Sequence, residues 1–246
     1  MAEADTRALV RRVLEHTAKL PPELRSDILA RGAEAVAPLV ELLEDASLAL
    51  ETAPGAGYAP VHAVELLARL KAPEASVPLV RALLRCEPGE LLFDALLYGL
   101  EELGAAVVPA ALEALADART PEERFGLCAV LARGGVKDER IAVALLVQLQ
   151  EEPVQGAMNL ARYGDPETLE PLKRALDVYP LDEDAEDLFA NQAIIELQVA
   201  IERLGGVLSE VQREKAERAR HSRHRLGTLF RRVLESLKSQ AGNDSR

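Results

Sequence analysis

The sequence predicts an all-α chain, an α-α superhelix (solenoid) of about six helix pairs with a C-terminal helical extension. Three observations support this fold class. Ala, Leu and Val supply most of the 48% hydrophobic content, with 3% aromatic residues and no Trp, so strand-forming residues are scarce. An apolar run with an early proline recurs along the chain. A second apolar run recurs between these copies and always ends in a similar four-residue pattern.

The first helix of each predicted pair carries the proline-containing run. Its copies are AVAPLVELL (35–43), SVPLVRALL (76–84), VVPAALEAL (107–115) and LEPLKRAL (169–176), and IAVALLVQL (141–149) has Ala144 in place of the proline. A proline inside a helix removes one hydrogen bond and bends the helix. We therefore expect a bend at the same register of each proline-containing copy.

The second helix of each pair is recognised by its end. The quartets are LARG (29–32), LARL (67–70), LEEL (100–103), LARG (131–134), LARY (160–163) and IERL (201–204), with arginine third in five of them: Arg31, Arg69, Arg133, Arg162 and Arg203. A cation at a helix C-terminus faces the negative end of the dipole and the free carbonyls. We expect these arginines to cap their helices, with a ladder for an anionic partner as the alternative.

The two runs together divide most of the chain into repeats. The predicted units are 4–32, 33–71, 72–104, 105–135, 136–164 and 165–206, and neither helix of a unit can bury its apolar face without a neighbouring copy. The sequence therefore predicts a repeat solenoid over residues 1–206 and a basic helical extension over 207–246. Thr120 to Glu123 predicts a capped helix start, and Ser47 to Ala59, rich in Ala, Gly and Pro, predicts a mobile loop.

The proline-containing apolar runs and the four-residue helix ends resemble those of HEAT-like repeats, specifically the short type first described in phycobilisome lyases. The resemblance covers Ala4 to Gly206 and implies a protein-binding scaffold, because most members of that broad family are scaffolds and few are enzymes. HEAT-like deoxyhypusine hydroxylases hold iron with His-Glu dipeptides, and the sequence contains no such dipeptide. HEAT-like DNA glycosylases use a basic groove with aromatic side chains, which this acidic, Trp-free chain does not match. A lyase-like enzyme, or an accessory factor acting on a protein-attached group, remains as an alternative.

Charge is distributed unevenly between the two predicted regions. Residues 1–206 hold 36 acids and 19 bases, net −17, whereas residues 207–246 hold 5 acids and 10 bases, net +5. Nucleic-acid binding depends on cations that neutralise phosphates, so the acidic body argues against it and leaves only the tail as a nucleic-acid contact. We expect a cytoplasmic protein without membrane insertion, since the sequence has no signal peptide and no apolar run of bilayer length.

A stripe of side chains is the predicted partner site. On the second helix of the third unit, Asp94, Tyr98 and Glu101 fall opposite the buried Leu side, and second helices usually line the concave surface of such a stack. Including the corresponding positions of other units, the predicted partner-binding stripe is Glu65, Asp94, Tyr98, Glu101, Phe125, Val154 and Met158. Such a surface suits a partner peptide or helix. The alternative for Phe125 and Met158 is that they fold into the core.

The basic tail is a second candidate for binding. Its arginines are Arg218, Arg220, Arg223, Arg225, Arg231 and Arg232. They could bind an acidic partner or dock on the acidic body of the chain itself. His221 and His224 alone make a weak metal pair. The sequence thus predicts a non-catalytic interaction scaffold that needs no metal or other cofactor, with another protein as its partner.

Overall fold

The computed structural model describes residues 2–183 and 186–224, and all regular structure within these residues is helical. The helices are α1 Ala2–Arg11, α2 Pro22–Leu29, α3 Val36–Glu44, α4 Ala59–Arg69, α5 Ser76–Leu83, α6 Leu91–Leu103, α7 Val108–Asp117, α8 Pro121–Arg133, α9 Glu139–Glu151, α10 Pro153–Tyr163, α11 Leu169–Val178 and α12 Gln192–Arg203. Residues 210–224 are also helical and are called α13 here. The all-α prediction is confirmed.

Successive helices form the predicted pairs. A short 3-10 turn directly precedes α3, α5, α7 and α11, so the first helix of these pairs begins in the same way each time. Contacts divide the chain into two compact units, Met1–Ile141 and Ala142–Arg246.

The helices of the first unit lie in two layers. The first helices α1, α3, α5 and α7 each contact the next member of that series, and the second helices α2, α4, α6 and α8 do the same. The helices of a pair also pack on each other, as in α3 with α4 and α5 with α6. This is the arrangement that stacked repeats produce, since each helix buries one face against its partner and another against the next copy.

The recurrent prolines lie at the starts of the first helices. Pro38, Pro78, Pro109 and Pro171 all lie within the first turn of α3, α5, α7 and α11. Backbone N–H groups there have no partner inside the helix, so a proline costs no helical hydrogen bond. The bend expected from an interior proline is therefore wrong, and the prolines instead mark where these helices start.

The capping signals behave as predicted. At the start of α8, Thr120 Oγ1 accepts the Glu123 amide at 3.2 Å, and the Glu123 carboxylate accepts the amides of Thr120 and Arg119. These backbone hydrogen bonds lower the pKa of Glu123. The predicted capping box is confirmed.

The loop predicted at 47–59 has defined local structure. It contains the 3-10 turns Ala46–Ala49 and Pro54–Gly57. Gly55 has φ +72°, and a Cβ there would lie 2.6 Å from the carbonyl oxygen of His16. The segment therefore packs closely on the backbone of Leu14 and His16. On α4, directly after the segment, His62 Nε2 lies 2.6 Å from the Thr17 carbonyl oxygen.

The second unit has a very short helical connection. Only Glu152 separates α9 from α10, and Gly156 faces the last turn of α9. A Cβ at Gly156 would lie 2.5 Å from the Leu149 amide nitrogen. In the same interface, Asn159 Nδ2 donates to Gln148 Oε1 at 2.9 Å, and both side chains are buried. Further along the chain, α12 packs on both α10 and α11.

Candidate functional site

Helix α6 carries the central part of the predicted stripe. Phe93, Leu96, Leu100 and Leu103 are buried, so this side of the helix faces the core. Leu91, Asp94 and Tyr98 follow each other at helical spacing on the opposite side, and Tyr98 is 72% exposed. The spacing of the leucines in the sequence therefore identified the exposed side of α6 correctly.

Two carboxylates of the predicted stripe are engaged within the first unit. Glu65 Oε1 on α4 lies 3.1 Å from Arg69 Nε and 3.6 Å from Arg25 Nε of α2. Glu101 Oε2 on α6 lies 3.2 Å from Arg133 Nε of α8. These pairs are partly exposed, so each contributes little free energy of folding. They nevertheless reduce the charge available to a partner, and Asp94 is the predicted acid that makes no side-chain hydrogen bond or ion pair with a described residue.

Phe125 is neither a fully exposed partner-binding side chain nor a fully buried core side chain. It is half-buried, and its ring centroid lies 6.1 Å from that of Phe93 at an interplanar angle of 31°. Residues 126–132 of α8 are buried on every side of the helix. Phe125 thus extends the core at its edge and leaves part of its ring accessible.

The second unit contributes Val154 and Met158 on α10. Val154 is half-buried, whereas Met158 is 47% exposed. On α12, which packs beside α10, Val199 is also exposed. Val154 and Met158 lie four residues apart and therefore on the same side of α10.

The arginines at the helix ends differ in their contacts. Arg133 Nη1 donates to the carbonyl oxygen of Ala129 at 3.1 Å, as expected for a cap. Arg31 instead pairs with Asp5 of α1 at 2.9 Å, and Arg69 pairs with Glu65. Arg69 still lies in the last turn of α4, where its charge faces the helix dipole, whereas Arg31 lies beyond the last turn of α2.

The described part of the basic tail packs within the second unit, against the C-terminal end of α11. Lys215 Nζ donates to the carbonyl oxygens of Leu176 at 2.7 Å and Asp177 at 3.0 Å, and Gln212 Nε2 donates to Asp177 Oδ1 at 2.8 Å. Arg218 forms an ion pair with Glu183. These contacts support the intramolecular alternative for α13. Burial lowers the pKa of Lys215, against the opposing effect of Asp177.

Of the remaining predicted tail arginines, only two lie within the described residues. Arg220 and Arg223 are exposed on α13. Arg225, Arg231 and Arg232 lie outside the described residues. Their proposed binding of a partner stays a prediction.

A cavity that the sequence did not predict opens at the N-terminal end of α6. It has a volume of about 540 Å³ and lies between the segment 45–57 and the connection from α5 to α6. We call it the loop basin and define it by Leu43, Leu50, Val61, Cys86, Leu91 and Leu92. Leu91 could have been found from its register with Asp94 and Tyr98. Leu50 could not, because it lies in an irregular segment with no periodic signal.

Cys86 is the thiol on the wall of this basin. Burial, followed by the negative charge of Glu90, raises the pKa of Cys86 to about 11. Neither cysteine forms a disulfide bond within the described residues, and Cys128 is buried. Cys86 is therefore a protonated, weakly nucleophilic group at neutral pH.

The described residues meet the requirements of neither a metal site with three or more ligands nor a membrane-spanning helix. Residues 2–183 and 186–224 contain no group of three or more His, Cys, Asp or Glu side chains placed to hold a metal ion. None of the described helices combines the length and apolar character that crossing a bilayer requires.

Comparison of the chain with protein families finds no match, and comparison with curated proteins finds none either.

Proposed function

We propose that this chain is a non-catalytic interaction scaffold of the HEAT-like repeat type. It binds a peptide or helix of another protein on the exposed side of its second helices, centred on Tyr98. The observation that carries the proposal is the 72% exposure of Tyr98 on a helix whose other side is fully packed. The two layers of α1 to α8 support the repeat assignment.

An exposed tyrosine on a fixed helix is well suited to anchor a partner. Its ring offers a large apolar area and its hydroxyl offers a hydrogen bond, and few rotamers are lost when it becomes ordered. Leu96 and Leu100 are fully buried beneath it, and α6 packs on α4, α5 and α8. The backbone under Tyr98 is therefore already fixed before a partner arrives, which reduces the entropy cost of binding.

Asp94 gives this surface its charge preference. It lies one turn before Tyr98 and is exposed, whereas Glu65 and Glu101 already face arginines. A lysine or arginine of the partner would pair with Asp94 beside the tyrosine ring. Val154 and Met158 provide a separate apolar contact within the second unit.

We place the scaffold in the cytoplasm. Cys86 and Cys128 form no disulfide bond within the described residues, which suits a reducing compartment.

The test compares capture of partners by the full-length protein and two variants. Tyr98→Ala removes the proposed anchor, and Val77→Ala removes an apolar side chain that is 50% exposed on α5, in the other layer of the same unit. Partners from nuclease-treated lysate are identified by mass spectrometry and then titrated as purified proteins. We expect Tyr98→Ala to weaken binding at least about tenfold and Val77→Ala to leave it unchanged. A partner that binds both variants as tightly as wild type, or no partner at all, would overturn the proposal.

A further inference from the structure

We infer that the loop basin is the anchor pocket of this scaffold and that it receives an apolar side chain from a partner segment carrying neighbouring lysines or arginines. The inference rests on the proposed function, because Leu91 in the basin lies on the same side of α6 as Asp94 and Tyr98. It adds the chemical class of the partner. A segment of this kind would place its apolar anchor in the basin and continue along α6 past Tyr98.

The size and lining of the basin fit an apolar side chain. Its volume of about 540 Å³ lies in the range of pockets that take a whole small-molecule ligand, roughly 300 to 1,000 Å³, so the basin admits a large apolar side chain together with adjoining groups of the partner segment. Leu43 is buried at the base, while Leu50 and Leu91 are 57% and 53% exposed. Exposed large aliphatic side chains that border one cavity lose contact with water when a partner fills it.

The walls of the basin are held in place by the fold. Asp45 Oδ1 accepts the Ser47 amide at 3.0 Å and the Ser47 hydroxyl at 2.6 Å, which fixes the first turn of the segment. Gly57 has φ +82°, and a Cβ there would lie 2.8 Å from the Ala49 carbonyl oxygen. The segment closes tightly on itself, so little ordering remains to be done on binding.

The rim of the basin determines the charge of the partner. Asp45, Glu51 and Glu90 line it together with the single guanidinium of Arg85. Glu51 makes no side-chain hydrogen bond or ion pair with any described residue, and Glu90 accepts only the Glu87 amide and the Cys86 thiol. An excess of carboxylates attracts a cationic segment and repels an acidic one. Asp94 extends the same negative character along α6.

Cys86 provides a reporter inside the basin. Because Cys128 is buried and the sequence has two cysteines, a thiol reagent applied to the native protein modifies Cys86 first. A segment seated in the basin covers this thiol, whereas a segment bound elsewhere does not. Cys86→Ser supplies the blank for the reaction.

The experiment selects peptides from a displayed random library on the full-length protein and resynthesises the enriched sequence with a fluorophore. Affinity is measured by anisotropy for wild type, Leu50→Ser, Leu91→Ser and the control Val77→Ser, all at exposed positions. We expect the enriched peptides to contain an apolar residue with Lys or Arg within one helical turn of it. We also expect at least about a tenfold loss of affinity in both basin variants and none in the control. The saturating peptide should slow labelling of Cys86 about fivefold or more, since a covered thiol reacts only when the peptide leaves.

Other results would overturn the inference and are distinguishable from failure of the proposed function. Enrichment of acidic peptides, undiminished binding by the basin variants, or unchanged labelling of Cys86 each removes the basin as the anchor pocket. If binding is then lost in Tyr98→Ala, the scaffold surface stands without the basin. If binding follows the basin variants but ignores Tyr98→Ala, the basin stands and the surface centred on Tyr98 does not.

Discussion

Arg133 links two neighbouring second helices of the first unit through Glu101. Its Nε lies 3.2 Å from Glu101 Oε2 on α6, and its Nη1 donates to the Ala129 carbonyl oxygen at 3.1 Å. One guanidinium therefore closes its own helix and holds the adjacent one. The charge of Glu101 is used inside the repeat stack instead of being presented to a partner.

Replacing this arginine should have a measurable effect on stability. We expect Arg133→Ala to lower the free energy of unfolding by about 1 kcal/mol, because it removes a partly exposed ion pair and a cation at a helix end. Urea denaturation followed by circular dichroism measures the change. Arg85→Ala is the matched control, since Arg85 is exposed and makes no side-chain hydrogen bond or ion pair within the described chain. Equal losses in both variants would contradict the role given to Arg133.

Gly156 should tolerate no side chain. In Gly156→Ala the new Cβ would meet the backbone of Leu149, which cannot move while Glu152 alone connects α9 to α10. We expect a loss of about 3 kcal/mol, at the upper end of overpacking effects. In the control Gly126→Ala, the nearest atoms belong to the Leu83 side chain at 3.3 Å. We expect that control to stay within about 1 kcal/mol of wild type because a side chain can shift and alanine favours helix. Thermal unfolding of the two variants side by side tests the contrast.

Lys215 should hold α13 against the C-terminal end of α11. Its ammonium satisfies two carbonyls at the C-terminal end of α11, which otherwise lack helical partners. Lys215→Met keeps most of the side-chain length but removes the donors, and we expect amides of residues 210–224 to exchange about tenfold faster. Arg220→Met alters an exposed position of the same helix and should leave exchange unchanged. If both variants exchange like wild type, the ammonium contacts do not hold the helix.

The reactivity of Cys86 should depend on pH in an unusual way. Its pKa of about 11 means that the thiolate fraction rises about tenfold per pH unit from pH 7 to 10. An ordinary thiol, with a pKa near 8.5, would approach a plateau within this range. Labelling rates of the native protein, with the same chain in concentrated urea as control, measure the difference. A native plateau near pH 9 would show that the folded environment does not raise the pKa.

The raised pKa of Cys86 also makes the free energy of unfolding depend on pH. The unfolded thiol ionises at a lower pH than the folded one, so the folded state retains its proton longer. The free energy of unfolding should therefore fall as pH rises above about 9, and Cys86→Ser should remove that part of the decline.

The sequence predicted those features of the fold that depend on local chemistry. The leucine spacing of α6 identified which side is buried, and Thr120 with Glu123 identified the start of α8, because periodicity and capping act within one or two turns. The proline-containing runs located the first helices correctly, although the expectation that each proline lies inside its helix and bends it was wrong. The helix pairs then followed from the need of each apolar face for a cover.

Features that depend on contacts between distant residues could not be predicted in this way. The pairing of Glu101 with Arg133 requires knowing how α6 and α8 are offset along their axes, and no local pattern contains that offset. The loop basin joins residues from α3, the segment 45–57, α4, α5, α6 and the connection between α5 and α6. Its existence depends on an irregular segment whose path is set by Gly55, Gly57 and the carbonyls they approach.

The contact between Gly55 and His16 also couples the loop basin to the N-terminal residues. One wall of the basin is the segment that rests on the carbonyls of Leu14 and His16, and His62 fixes the neighbouring carbonyl of Thr17. By thermodynamic linkage, an occupant that favours the closed segment must also favour the packed form of residues 14–17, and loosening of those residues must weaken the occupant. The stretch between α1 and α2 would thus influence affinity at a pocket to which it contributes no lining residue.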